Sequence, residues 1–275
     1  MTHLVHAGSV GRGARMRALI QAEMIMLVRN RSALVAALIL PLGSLWLLRS
    51  ATPSSFDVGR DETVEAAGVL ATGTIGMVFL FVVYSTLVNA YVARREGMVL
   101  KRLQTGELTD GEILTGTALP AAGLAWGQCA VVIGIGITVL DLPVPANAVV
   151  LLVGVLSGTV LAAALAACSS ILTRTVEMAQ LTTMPVLLAS MAGSGLVFPL
   201  AAMPSWLADV CRLLPLTPAM EIVRIGWLGV EAAGAGGQTG DGLWSTALPQ
   251  IGGAVLWSAA AVWAARRWFR WEARK

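Results

Sequence analysis

The chain has 275 residues, of which 56% are hydrophobic and only 13% charged, with 19 Lys and Arg against 16 Asp and Glu. A soluble domain carries roughly 25% charged residues, so this composition excludes an ordinary water-soluble globule and points to lipid as the solvent. The net charge of +3 follows from where the cations lie along the chain, described below, and gives no support to a nucleic-acid partner.

Residues 1–11 contain Gly and Ser and are expected to be disordered; the rest, 12–275, reads as a single transmembrane domain. Over 12–30, Met16, Leu19, Ile20, Met24 and Leu27 recur at helical spacing among basic residues. That pattern predicts an amphipathic elbow helix lying in the membrane interface, with its cations at the headgroups. Glu23 interrupts the apolar arc, either snorkelling to water or meeting a partner on another cytoplasmic segment.

A spanning helix needs about 20 mostly apolar residues. Six segments qualify: 32–49, 67–93, 113–140, 147–172, 179–199 and 244–266. The first is short and follows basic residues as a signal-peptide core would, but five further spans favour an integral helix. The fourth follows "LPVPAN", which a helix cannot cross, so it should start near Asn147. The fold class is therefore all-α, a polytopic membrane protein with six transmembrane helices.

An even number of spans puts both termini on one side. With the N-terminus inside, only Arg49, Arg60, Arg212 and Arg224 among the basic residues lie outside. The remainder, including Arg29, Arg94, Arg95, Lys101, Arg102, Arg174 and the terminal "RRWFRWEARK", lie inside. This positive-inside bias predicts cytoplasmic termini in the cell membrane.

The first cytoplasmic loop belongs to "RREGMVLKRLQTGELTDGEILTG", residues 94–116. Glu96 to Gln104 can form about two helical turns, with Met98, Val99 and Leu103 opposite Lys101 and Arg102. Gly106 then stops the helix, and Thr109 with Glu112 forms a capping box for the third span. A basic cluster could merely set topology and attract anionic lipid. The acids Glu96, Glu107, Asp110 and Glu112 dilute that attraction, so the loop reads better as a protein-docking surface.

Small residues at four-residue spacing, Gly123 and Gly127 in the third span and Gly154 and Gly158 in the fourth, permit close helix contact within the chain or across a dimer. Between the last two spans, "FPLAAMPSWLADVCRLLPLTPAMEIVRIGWLG" (198–229) is too apolar for a free loop. Pro199, Pro204, Pro215 and Pro218 divide it into two short re-entrant helices. The first starts at Pro204 and puts Trp206, Leu207, Val210 and Leu214 on one face; Thr217 can cap the second. Glu221 and Arg224 are spaced for an i,i+3 ion pair.

Some chemistry lacks its residues. The only histidines are His3 and His6, so "AGSGLVF" around Ser194 has no base beside it, and no catalytic residue or metal site is predicted. "GAGGQTG" (234–240) has the glycines of a phosphate loop but not its Lys-Ser/Thr end. Cys129, Cys168 and Cys211 have no metal or disulfide spacing. The middles of the spans hold no ionisable residue of the kind that ion-coupled carriers use, so energy for uphill transport must enter from elsewhere.

Three stretches in order carry a resemblance: "AEMIMLVRNRSALVAALILP", "ARREGMVLKRLQTGELTDGEILTG" and the 198–229 segment with Pro215, Leu216, Thr217, Arg224 and Gly226. Together they resemble the permease subunit of type-2 ATP-binding-cassette (ABC) exporters, in the drug-resistance, multidrug efflux branch. The resemblance implies an antibiotic- or drug-exporting permease, homodimeric, with a separate cytoplasmic ABC ATPase pair. No cofactor is then expected on this chain, ATP and Mg being held by the partner. It also implies ATPase coupling through Glu23, Arg29, Glu96, Gly97, Lys101, Arg102 and Leu103, and an outer gate built on Pro199, Pro204, Trp206, Pro215, Thr217, Glu221 and Arg224. The alternatives are a secondary, ion-coupled transporter, a membrane-embedded hydrolase, or a non-transporting scaffold or immunity protein.

Overall fold

A computed structural model describes Gly43 and residues 60–96, 110–196, 203–232 and 241–268. The elbow helix and, Gly43 apart, the first expected span lie outside the described residues, as does the 97–109 loop. What is described is helical throughout. Helix α1 (Arg60–Met77) runs through a π-helical segment (Val78–Ser85) into α2 (Thr86–Glu96). Then follow α3 (Asp110–Val139), α4 (Ala148–Leu172), α5 (Val176–Gly193), α6 (Ser205–Arg212), α7 (Thr217–Ala232) and α8 (Asp241–Trp268).

Four of these stretches, Ala67–Glu96, Gly111–Val139, Ala148–Leu172 and Gly242–Arg267, are long and apolar enough to cross a membrane. They correspond to the second, third, fourth and sixth expected spans. The second helix begins at Arg60, ahead of the expected residue 67. The fifth expected span, 179–199, overlaps α5, which runs from Val176 only to Gly193 and is not among the helices long and apolar enough to cross. Gly195 follows with φ +68°, a left-handed conformation that ends a helix and favours glycine. Helices α6 and α7 meet at 99°, so together they make a broken or re-entrant segment.

Local chemistry sets the helix starts. Asp141 takes φ +51° in the turn after α3, a conformation that Asp tolerates better than most residues. The Asn147 Oδ1 accepts from the Val149 and Val150 amides at 3.0 and 3.1 Å and so caps α4 where the Pro-containing turn ends. The Thr175 hydroxyl caps α5 by accepting from Met178 N, and Glu177 sits in that first turn. Pro120, Pro185 and Pro249 lie inside helices, which membrane bundles tolerate because neighbours satisfy the freed backbone.

The core is centred on the second span. Ile75, Phe79, Tyr84, Leu87 and Tyr91 are buried along it, with α3, α4, α5 and α7 around it. The Tyr84 hydroxyl bonds Ser169 Oγ of α4 at 2.9 Å. Trp126 of α3 donates its indole N–H to Thr159 of α4 at 3.1 Å. The outer faces of α5 and α8 expose large apolar side chains such as Leu181, Leu188, Leu256 and Trp263, the arrangement expected where lipid replaces water.

Candidate functional site

Polar side chains that a membrane bundle would ordinarily exclude gather at its two ends. At the end where α2 stops, α3 starts, and α4 turns into α5, three side chains of α2 reach outward. Tyr91 donates its hydroxyl to Leu114 O of α3 at 3.2 Å, and Arg94 donates to the Thr117 hydroxyl. Arg95 is only 2% exposed and donates Nη1 to Ser170 O of α4 at 2.8 Å and Nη2 to Thr173 O. The last carbonyls of a helix have no intrahelical donor, and they form the negative end of its dipole. A guanidinium there satisfies two of them at once.

At the opposite end lie α6 and α7. Helix α7 is wedged against α4 and α8, with Ala219, Met220, Ile222, Val223, Ile225 and Trp227 all buried. Close approach depends on two glycines. A Cβ at Gly154 would lie 2.8 Å from Val223 N, and a Cβ at Gly226 would overlap Leu151. The carbonyls of Gly226 and Trp227 accept from Asn147 N and Ala146 N at 2.9 and 3.0 Å, and the Trp227 indole donates to Pro143 O. The end of α7 is thereby stapled to the turn before α4.

Arg224, 5% exposed, donates Nη1 to Glu221 Oε1 at 2.6 Å and Nη2 to Gly195 O, the turn after α5. Thr217 does not cap α7 through its side chain. Its hydroxyl donates back to Cys211 O of α6 at 2.7 Å and lies 3.2 Å from Ser194 Oγ. The corner between α6 and α7 is thus closed by Thr217, with Ser194 fully buried against it.

Helix α6 is different. The Pro204 carbonyl accepts from Leu207 and Ala208, so Pro204 starts it by its backbone. The side it buries carries Ala208 and Cys211, with Leu207 and Leu214 half-buried. Trp206, at 68% exposure, shares the open side with Val210 and Leu213. The expected face of Trp206, Leu207, Val210 and Leu214 is therefore split between the two environments. Pro215 is half-buried at the corner.

Of the expected coupling residues, Glu96 ends α2 and is exposed, while Glu23, Arg29, Gly97, Lys101, Arg102 and Leu103 lie outside the described residues, as does Pro199. The structure pairs Glu221 with Arg224, which holds Gly195, and sets Thr217 against the neighbouring Ser194, while Trp206 is exposed on α6. Gly154 backs onto Val223 and Gly158 onto the Phe79 ring, whereas Gly123 and Gly127 are exposed on α3, with none of the described residues within 4 Å of a Cβ at Gly127. Arg95 is the residue that sequence reasoning missed, because its charge alone reads as one more topology-setting cation. The signal was its phase: Leu87, Val88, Tyr91, Val92 and Arg95 fall on one buried stripe of α2.

The family model for the ABC-2 type transporter matches residues 14–228. No curated protein matches the chain significantly. The match runs through three of the four apolar helices, α5, α6 and most of α7, and stops before α8. The chain accordingly belongs to the ABC-2 type transporter family, as a multi-pass, all-helical membrane permease.

Proposed function

We propose that this permease exports a hydrophobic or amphiphilic substrate, such as a drug, an antibiotic or a lipid-like molecule, from the cytoplasm. The energy is supplied by a separate ABC ATPase subunit that holds ATP and Mg. Two permeases pair with two ATPases in the cell membrane, with both permease termini cytoplasmic, in the manner of the drug-resistance branch. The ATPase docks on the elbow helix and the 97–109 loop, with Glu23, Arg29, Glu96, Gly97, Lys101, Arg102 and Leu103 as coupling residues. Helices α6 and α7 close the exit through Pro199, Pro204, Trp206, Pro215, Thr217, Glu221 and Arg224.

One observation carries this reading. Among the described residues, no carboxylate is buried in the four apolar helices, and the two buried cations, Arg95 and Arg224, stand at opposite ends of the bundle. A carrier driven by protons or ions keeps titratable groups at depth, where they are costly and therefore retained for function. Among the described residues, the four apolar helices offer walls without such carboxylates, which suits a permease moved from outside.

The test is reconstitution of the permease with an ABC ATPase encoded beside it. Association, and outward flux of a lipophilic cation that vanadate abolishes, are the expected results. Flux stopped by an uncoupler but insensitive to vanadate would assign an ion-coupled carrier instead. Partner binding without nucleotide-dependent flux would assign a scaffold.

A further inference from the structure

We infer that Arg95 is a positioning residue for energy coupling, a strut that carries displacement of the 97–109 loop to the α4–α5 turn. The inference rests on the ATP-driven reading above and extends it to a buried residue at the end of α2.

The loop leaves α2 immediately after Glu96 and returns at the start of α3. Its two flanking helices are tied together close to the loop, by Arg94 to Thr117 and by Tyr91 to Leu114 O at 3.2 Å. A force on the loop therefore moves the ends of α2 and α3 as one body. Arg95 is the link from that body to the rest of the bundle. Its guanidinium donates to Ser170 O at 2.8 Å and to Thr173 O, 75 and 78 residues away in sequence. Both carbonyls sit at the end of α4, and Thr175 begins α5 only two residues beyond Thr173.

The planar fork matters. Two parallel donors on two carbonyls fix direction as well as distance, which the point charge of a lysine ammonium does not. Among the described residues, the Thr173 hydroxyl and amide both donate to Ser169 O of its own helix, and the Thr175 hydroxyl accepts from Met178 N. Among the bonds described at this turn, those from Arg95 are the ones that reach it from the body flanking the loop. Helix α5 continues to Gly193, beyond which Gly195 O accepts from Arg224. Movement of the turn is thus directed along α5 towards the cluster that holds α7.

The test uses the full permease with its ATPase in liposomes. Arg95→Met is expected to keep ATPase association and ATP hydrolysis within about twofold of wild type. Transport per ATP hydrolysed is expected to fall about tenfold or more, with Arg95→Lys intermediate. A parallel fall of hydrolysis, transport and folded yield would show a merely structural cap and overturn the strut. Unchanged transport per ATP in Arg95→Met would overturn it as well. Should Arg95→Met fail to assemble, hydrogen exchange on the wild-type complex decides. Vanadate trapping must alter protection of residues 170–176, and no change there sinks the proposal. Wild-type liposomes that show no ATP-driven flux overturn the functional reading and the strut together, whereas coupled wild type with coupled Arg95→Met rejects the strut alone.

Discussion

Helices α6 and α7 are neighbours joined at a sharp corner, and each carries an acid followed three residues later by an arginine. Asp209 and Arg212 on α6 pair at 2.9 Å with both side chains about 70% exposed; Glu221 and Arg224 on α7 pair at 2.6 Å with 17% and 6% exposure. The sequence spacing is the same and the environments are opposite. An exposed pair is worth about 0–1 kcal/mol, whereas a buried one makes each partner depend on the other. The difference lies in the neighbours. Helix α7 is received by Gly154 and by the turn before α4, and its arginine by Gly195 O, while among the described residues α6 buries only Ala208 and Cys211 fully, with Leu207 half-buried.

The largest expected effect breaks the buried member of this comparison. Arg224→Met leaves the Glu221 carboxylate buried without its partner and should cost about 3–5 kcal/mol. It should read out as a strongly lowered thermal midpoint or a loss of monodisperse protein in detergent. Adding Glu221→Leu removes the stranded charge and should recover much of the loss. A double variant as unstable as the single would show that the pair itself contributes little. The lost Gly195 contact would then be the whole effect.

The second effect concerns why α7 is buried at all. Gly154→Val inserts two methyl groups and a Cβ where Val223 N is already at contact distance, and overpacking of this kind costs about 1–3 kcal/mol. Gly127→Val, on the open side of α3, meets none of the described residues and should leave the thermal midpoint of the isolated chain nearly unchanged. Equal losses in the two variants would refute close approach as the reason for α7's burial. If Gly127→Val is silent in the isolated permease but disrupts the assembled transporter, the open face of α3 contacts another subunit.

Much of this was legible in the sequence and some was not, for physical reasons. Uncharged run length found the spans because lipid imposes it on every helix, and Asn147 after two prolines marked the start of α4. Glu221 and Arg224 were readable as a pair because helical spacing alone brings them together. Their burial was not readable, since it depends on Gly154, Gly195 and Gly226, residues far apart in sequence. Thr217 looks like a cap because it precedes a proline, yet its hydroxyl goes to Cys211 O, a choice set by the corner angle. Trp206 was assigned to a common face with Leu207, but an eight-residue helix resting on two small side chains buries only a narrow strip. Arg95 was hidden by its own doublet. Positive charge near a span end satisfies the topology rule whether it faces water or a helix terminus, so charge alone does not distinguish Arg95 from Arg94.

The smallest expected effect is the one that makes the comparison quantitative. Asp209→Asn with Arg212→Gln removes the exposed pair of α6 while keeping side-chain size, and its cost should stay within about 1 kcal/mol. What little it contributes should fade as salt is raised from 0.01 M to 0.15 M, where the screening length shortens from about 30 Å to about 8 Å. The buried pair should not respond to salt in the same way, because lipid and protein keep ions from it. The informative measurement is therefore the salt dependence of the thermal midpoint in the α6 variant beside that of Arg224→Met. A salt-insensitive loss of several kcal/mol from the α6 variant would mean that Asp209 and Arg212 are covered by something in the assembled transporter. The contrast between the two helices would then belong to the isolated permease alone.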